Sequence, residues 1–201
     1  MQLAKLISFV FHPIIVPIAS VLLYFIIIPN HIPKEIAYRI LLLVFVSTYI
    51  LPIFLLFILR KIKLIDNFYM DSIKERKFPV IFYTVLCYLI GNLLLKFNIV
   101  DILGYSFMAS SLSLALVYIL FIFNFKTSLH SLAIAGQIGF IIIISFQYKI
   151  NLLPLIMALF ILLGVISTAR LQLKAHTLQE IIIGFFIGIV SQVAVYFTFM
   201  L

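Results

Sequence analysis

At 201 residues, 66% hydrophobic and only 10% charged, the chain lies far from a soluble domain, in which roughly a quarter of residues are charged. A mean hydropathy of +1.33, with 21 Phe and no Trp, makes most of the surface apolar and sets aside secreted disulfide scaffolds, nucleic-acid-binding domains and disordered tails. The net charge of +8 rests on basic residues in short connections between apolar runs, a pattern of topology control or anionic head groups, with no nucleic-acid partner implied.

Seven apolar runs approach the about 20 residues that a helix needs to cross a bilayer core. They cover residues 6–28, 40–59, 78–95, 106–125, 129–147, 152–169 and 178–200. Strict two-residue alternation is absent, so the runs are read as helices rather than barrel strands. The first is too long for a removable signal peptide and carries Pro13 and Pro17. No repeat, low-complexity tract or long linker divides the chain, and Cys87 is the only cysteine, so no intrachain disulfide forms. The expected fold is all-α: one polytopic transmembrane bundle of six to seven helices over residues 1–201.

Three connections are rich in polar chemistry: residues 60–77, 126–130 and 170–176. Two runs separate each from the next, and two crossings return a chain to the face it left, so the three emerge together. On that face stand Arg76, Lys126, Ser128, His130, Arg170, His176 and Glu180. Glu180 follows His176 by one helical turn, so its carboxylate can accept from one imidazole nitrogen and leave the other as nucleophile or base. Arg170, six residues before His176, can reach the same anion. Lys126, Ser128 and His130 open the fifth run, where a helix N-terminus presents free N–H groups to an anion. Guanidinium forks match phosphate oxygens. A divalent-metal site would need several acids, and Asp66 and Asp71 are the only candidates, so no metal or other cofactor is implied. A close helix contact is expected at Gly184-x-x-x-Gly188.

These residues bear a resemblance. The stretch from Ala169-Arg170 through His176 to Glu180 resembles the third signature of the type-2 phosphatidic acid phosphatase superfamily, membrane lipid phosphatases related to vanadium haloperoxidases. That signature reads Ser-Arg, five residues, His, three residues, Asp. Thr127-Ser128-Leu129-His130 resembles its Pro-Ser-Gly-His signature, and Glu75-Arg76-Lys77-Phe78-Pro79 resembles the end of its first, Lys, six residues, Arg-Pro. The resemblance implies a metal-independent phosphatase for a lipid phosphate or polyprenyl diphosphate. His176 would form a phosphohistidine, oriented by Glu180. His130 would protonate the leaving oxygen and then activate water. Arg170, Arg76 and Ser128, with Lys126 or Lys74, would hold the phosphate oxygens. Ala169, Thr127, Leu129 and Glu180 differ from the family's Ser, Pro, Gly and Asp; Tyr69 stands in place of its first Lys and Lys77 in place of its Pro.

Two other functions fit the residues. Leu129 and the altered first signature suit a lipid-phosphate carrier or sensor without turnover. Asp66, Asp71 and Arg76 in a polar loop would suit a magnesium-dependent prenyltransferase, although its repeated aspartate pattern is missing. Structural roles also offer themselves: Thr177-x-x-Glu180 as a capping box, Ser128 as an N-cap, Arg170 and Lys126 as flanking charges, and Arg60, Lys61 and Lys63 as a head-group cluster. His12, inside the first run, is an ionisable group at depth, whereas His31 reads as an inert loop residue. Lys and Arg number ten on the site face (Lys5, Arg60, Lys61, Lys63, Lys74, Arg76, Lys77, Lys126, Arg170 and Lys174) against four opposite (Lys34, Arg39, Lys96 and Lys149). This bias points the site to the cytoplasm, although bacterial relatives of the family often work at the outer face of the inner membrane.

Overall fold

The computed structural model describes residues 1–28, 32–68, 70, 72–97 and 100–199. Among these the chain contains helices and no strand. In order they are α1 (Gln2–Val10), a 3-10 turn (Pro13–Ile15), α2 (Val16–Ile27), α3 (Lys34–Phe45), a π-helical turn (Val46–Ile50), α4 (Leu51–Lys61), α5 (Ile73–Lys96), α6 (Asp101–Ile122), α7 (Leu129–Tyr148), α8 (Leu153–Gln172) and α9 (Leu178–Phe199). Seven stretches of the described residues are long and apolar enough to span a membrane: Gln2–Ile27, Lys34–Lys61 and each of α5 to α9. The protein is an integral, multi-pass membrane protein with an all-α bundle. Side chains such as Phe9, Ile26 and Phe123 stand largely exposed on its outside, as a lipid solvent requires.

The bundle is built around α7. In its membrane-crossing stretch 67% of residues are buried inside the protein, against 11–39% for the other six spans. Ile138, Phe140, Ile141 and Ile144 of α7 meet a core that includes Val21, Val44, Leu94, Leu103, Val117 and Phe121. Helix α9 packs along α7, α5 along α6, and α1 against α8. Two seams are close because they lack side chains. A Cβ on Gly188 would lie 2.3 Å from the Leu132 carbonyl oxygen, and one on Gly184 would lie 2.7 Å from that of Ser128. The Gly184-x-x-x-Gly188 pair therefore brings α9 onto α7 within one chain. Gly91 and Gly104 do the same for α5 and α6, where a Gly91 Cβ would sit 2.9 Å from the Gly104 carbonyl oxygen.

Prolines break the first two spans, each with a compensated backbone. Pro52 cannot donate to the Thr48 carbonyl four residues back; that oxygen accepts instead from the Tyr83 hydroxyl at 3.1 Å, beside the π turn. Pro13 interrupts the first span after eleven residues, and the His12 ring caps the 3-10 turn by accepting from the Ile14 N–H at 3.3 Å.

The helices run further into the polar connections than the apolar runs do. Helix α5 starts at Ile73 rather than 78, because Ser72 and Glu75 form a reciprocal capping box. Arg170 is correspondingly on the last turn of α8 rather than in a loop, where a cation faces the negative end of the helix dipole. Helix α6 ends three residues before the apolar run does, near Asn124 with its left-handed backbone. His31, Tyr69 and Asp71 lie outside the described residues, as does Met200 at the end of the seventh run.

Candidate functional site

The ends of α5, α7, α8 and α9 meet on one face. Ser128 caps α7 by accepting from the Ser131 N–H at 3.4 Å. Its own N–H donates to the Glu180 carbonyl at 3.2 Å, and the Ser131 hydroxyl donates to the Ile181 carbonyl at 2.8 Å. With Gly184 against Ser128, these bonds hold the first turn of α7 to the first turn of α9. After Arg170 the chain reverses through Lys174, which has a left-handed backbone (φ 51°), and the Ala175 N–H returns to the Arg170 carbonyl at 3.1 Å. The Lys126 ammonium donates to the Ala175 carbonyl at 3.1 Å, next to His176.

His176 is 7% exposed. Its Nδ1–H donates to the Glu180 carboxylate at 2.7 Å, and a carboxylate only accepts, so in the neutral ring Nε2 carries the lone pair. The same carboxylate accepts from the Thr177 N–H at 3.2 Å while the Thr177 hydroxyl accepts from the Glu180 N–H at 3.3 Å. One residue thus serves both the capping box and the imidazole. The His176 pKa is pushed well below its ordinary 6.5, first by burial and then by the positive charges of Arg76, Arg170 and Lys126, with His130 adding to them. The Glu180 carboxylate pulls the other way, but one carboxylate does not offset burial and three cations.

Arg76, His130, Arg170 and Lys126 are thereby all within electrostatic range of His176. Arg76 is buried, its Nε–H donating to the Met70 carbonyl at 2.7 Å. His130 is also buried, and its Nε2–H donates to the Ser8 carbonyl at 3.1 Å. Seven of the eight residues singled out in the sequence come together: Arg76, Lys126, Ser128, His130, Arg170, His176 and Glu180. The eighth, Lys74, is exposed and is not among the charges acting on His176 or His130. It lies two residues from Arg76 on α5, and side chains at that spacing do not share a helix face. Asp66 is exposed, and its N–H donates to the Glu75 carboxylate. Among the described residues no three His, Cys, Asp or Glu side chains gather as a metal-binding group.

Spacing alone did not bring the first span to this face. Ser8 reaches His130 through its carbonyl, and His12 packs its ring edge-to-face on that of His130 with centroids 5.6 Å apart. Thr127 is fully buried with its hydroxyl unbonded. The Pro13 break was the available signal, since a proline beside an ionisable residue in a span marks backbone that must find partners elsewhere. The cluster combines a neutral, oriented imidazole with two guanidinium groups, an ammonium and a helix N-terminus, an environment able to hold an anion beside a nucleophilic nitrogen. No family model, curated protein or solved structure matches the chain.

Proposed function

We propose that the protein is a metal-independent membrane phosphatase acting on a lipid phosphate or polyprenyl diphosphate. The observation that carries this reading is the 2.7 Å bond from His176 Nδ1 to Glu180 beside three cationic side chains. It supplies an unprotonated Nε2 and the positive field that a phosphoryl group needs. The resemblance of the three signatures to the type-2 phosphatidic acid phosphatase superfamily supports the same reading. It also suggests the inner membrane of a bacterium as the location.

In this scheme Arg170 and Arg76 hold the non-bridging oxygens, with Lys126 and the α7 N-terminus. His176 Nε2 attacks phosphorus as the bond to the leaving oxygen breaks, and Glu180 stabilises the charge that develops on the ring. The negative charge of the bound phosphate offsets the neighbouring cations and lets the His130 ring take up a proton. The imidazolium so formed gives its Nδ1 proton to the leaving oxygen while Ser8 holds Nε2–H. Water then attacks the phosphohistidine, returning a proton to His130 and freeing His176 and phosphate. The site lies at the ends of the spans, so a substrate tail can remain in hydrocarbon while its head group reaches the cations.

Purified protein is expected to release phosphate from lipid phosphates in EDTA, to be inhibited by vanadate, and to lose turnover in His176→Ala. Undiminished turnover in that variant would remove His176 as nucleophile. A second reading, a lipid-phosphate carrier without turnover, draws on Leu129. It occupies the first residue of α7, where the resembled signature has glycine, and packs on the core. Saturable binding with no release from any head group would favour it.

A further inference from the structure

We infer that the broken first span is part of the site and that His12 is a positioning residue for His130. The inference rests on the phosphatase reading above. His130 has two neighbours from this span, the Ser8 carbonyl at 3.1 Å from Nε2 and the His12 ring at 5.6 Å in a T-shaped arrangement, with an interplanar angle of 78°. Together they set the proton and the plane of the ring. The carbonyl only accepts, so Nε2 keeps its hydrogen and Nδ1 is the nitrogen that exchanges a proton with substrate or water. The His12 ring limits rotation about the axis that the carbonyl leaves open.

His12 is itself held. Its Nδ1 accepts from the Ile14 N–H at 3.3 Å, and Pro13 follows it with a fixed backbone angle. Its own proton in the neutral ring therefore sits on Nε2. The Arg170 guanidinium lies within electrostatic range of both His12 and His130. The platform that carries Ser8 and His12 is seated by α1 on α8, where Ala4 and Ser8, one turn apart, are buried. An ionisable side chain inside an apolar span is costly to keep, and a plain N-cap does not call for an imidazole, since Asn, Asp or Ser would cap as well.

The role divides two functions that substitution can separate. His12→Asn keeps the cap but removes the ring; His12→Phe keeps the edge-to-face ring but removes its nitrogens. If His130 supplies the proton to the leaving oxygen, misplacing it harms substrates that leave as an alkoxide and spares those that leave without help. The full-length protein, purified in detergent micelles, is assayed on a long-chain alkyl phosphate and on p-nitrophenyl phosphate.

His12→Asn is expected to lower kcat/KM, which reports only the steps up to loss of the leaving group, on the alkyl phosphate by roughly ten- to a hundredfold, within the range of general acid catalysis. The loss of kcat/KM on p-nitrophenyl phosphate should stay below about threefold. His12→Phe should recover part of the loss if ring packing contributes. Equal losses of kcat/KM on both substrates would show a general structural role and overturn the inference, as would full activity of His12→Asn. Absence of release by the unmutated protein, or release that survives His176→Ala, would defeat the phosphatase reading itself and the inference with it. Full activity of His12→Asn beside an inactive His176→Ala would defeat the inference alone.

Discussion

His176 takes its partner from its own helix turn, Glu180 four residues on, whereas His130 takes its partner from Ser8, 122 residues away on another helix. The first partner is a carboxylate and the second a neutral carbonyl. A carboxylate stabilises positive charge on the ring it holds, which suits an imidazole that becomes bonded to phosphorus. A carbonyl fixes the tautomer but stabilises that charge less, which suits a ring that must give up and regain a proton. In the proposed scheme the nucleophile and acid–base roles are thus separated by the chemistry of the partner. Robustness is separated too: the His176 pair is local, and the His130 pair depends on how the first span docks.

The largest expected effect is on the nucleophile. His176→Ala should lower turnover by at least about a thousandfold in a phosphate-release assay, with the protein still folded by circular dichroism. Glu180→Gln sharpens the comparison, because glutamine serves a capping box as well as glutamate does but carries no charge for the imidazole. A loss of about a hundred- to a thousandfold in kcat with an unchanged melting temperature would place the carboxylate in orientation rather than capping. Ala4→Phe probes the other histidine by overpacking the α1 contact on α8, where Ala4 is 2% exposed. It should cost about tenfold in kcat while vanadate inhibition is retained, since His176 and Glu180 lie on α9 and its preceding loop, away from the α1 contact on α8.

Gly188→Ala tests the seam that brings the two histidines together. Its Cβ would lie 2.3 Å from the Leu132 carbonyl oxygen, and α9 must shift, at a cost of about 1–3 kcal/mol seen as a lower melting temperature. The smallest effect, taken over a single pH unit, concerns acid stability. His176 binds its proton far more weakly folded than unfolded, so between pH 6.5 and the lowered folded value the unfolded chain holds the extra proton. Stability from this group is therefore complete above pH 6.5 and falls as the pH drops, by at most about 1.4 kcal/mol per unit. Thermal unfolding of His176→Gln should show a shallower acid slope than the parent protein.

What could be read without coordinates was what depends on near neighbours in the chain. The spans followed from run lengths, the shared face from counting crossings, and the His176–Glu180 pair from a four-residue spacing. The Thr177–Glu180 box and the Gly184–Gly188 contact were likewise local patterns. Helix ends were misjudged where polar residues extend a helix past its apolar run, as at Ser72–Glu75 and Arg170, because hydropathy does not register capping. Lys74 stands apart from Arg76 because residues two apart on a helix do not share a face. The Ser8 carbonyl has no side-chain signature at all, and its bond to His130 exists only through the docking of α1 on α8. His12 was visible as an ionisable residue beside a proline, but its neighbour was not.

The most direct test of the account is chemical trapping. Protein mixed with 32P-labelled lipid phosphate in EDTA and quenched in alkali within one turnover should carry label that is stable to base, labile to acid, and mapped to the peptide containing His176. Steady release of phosphate with no such label, or label on a different residue, would contradict it.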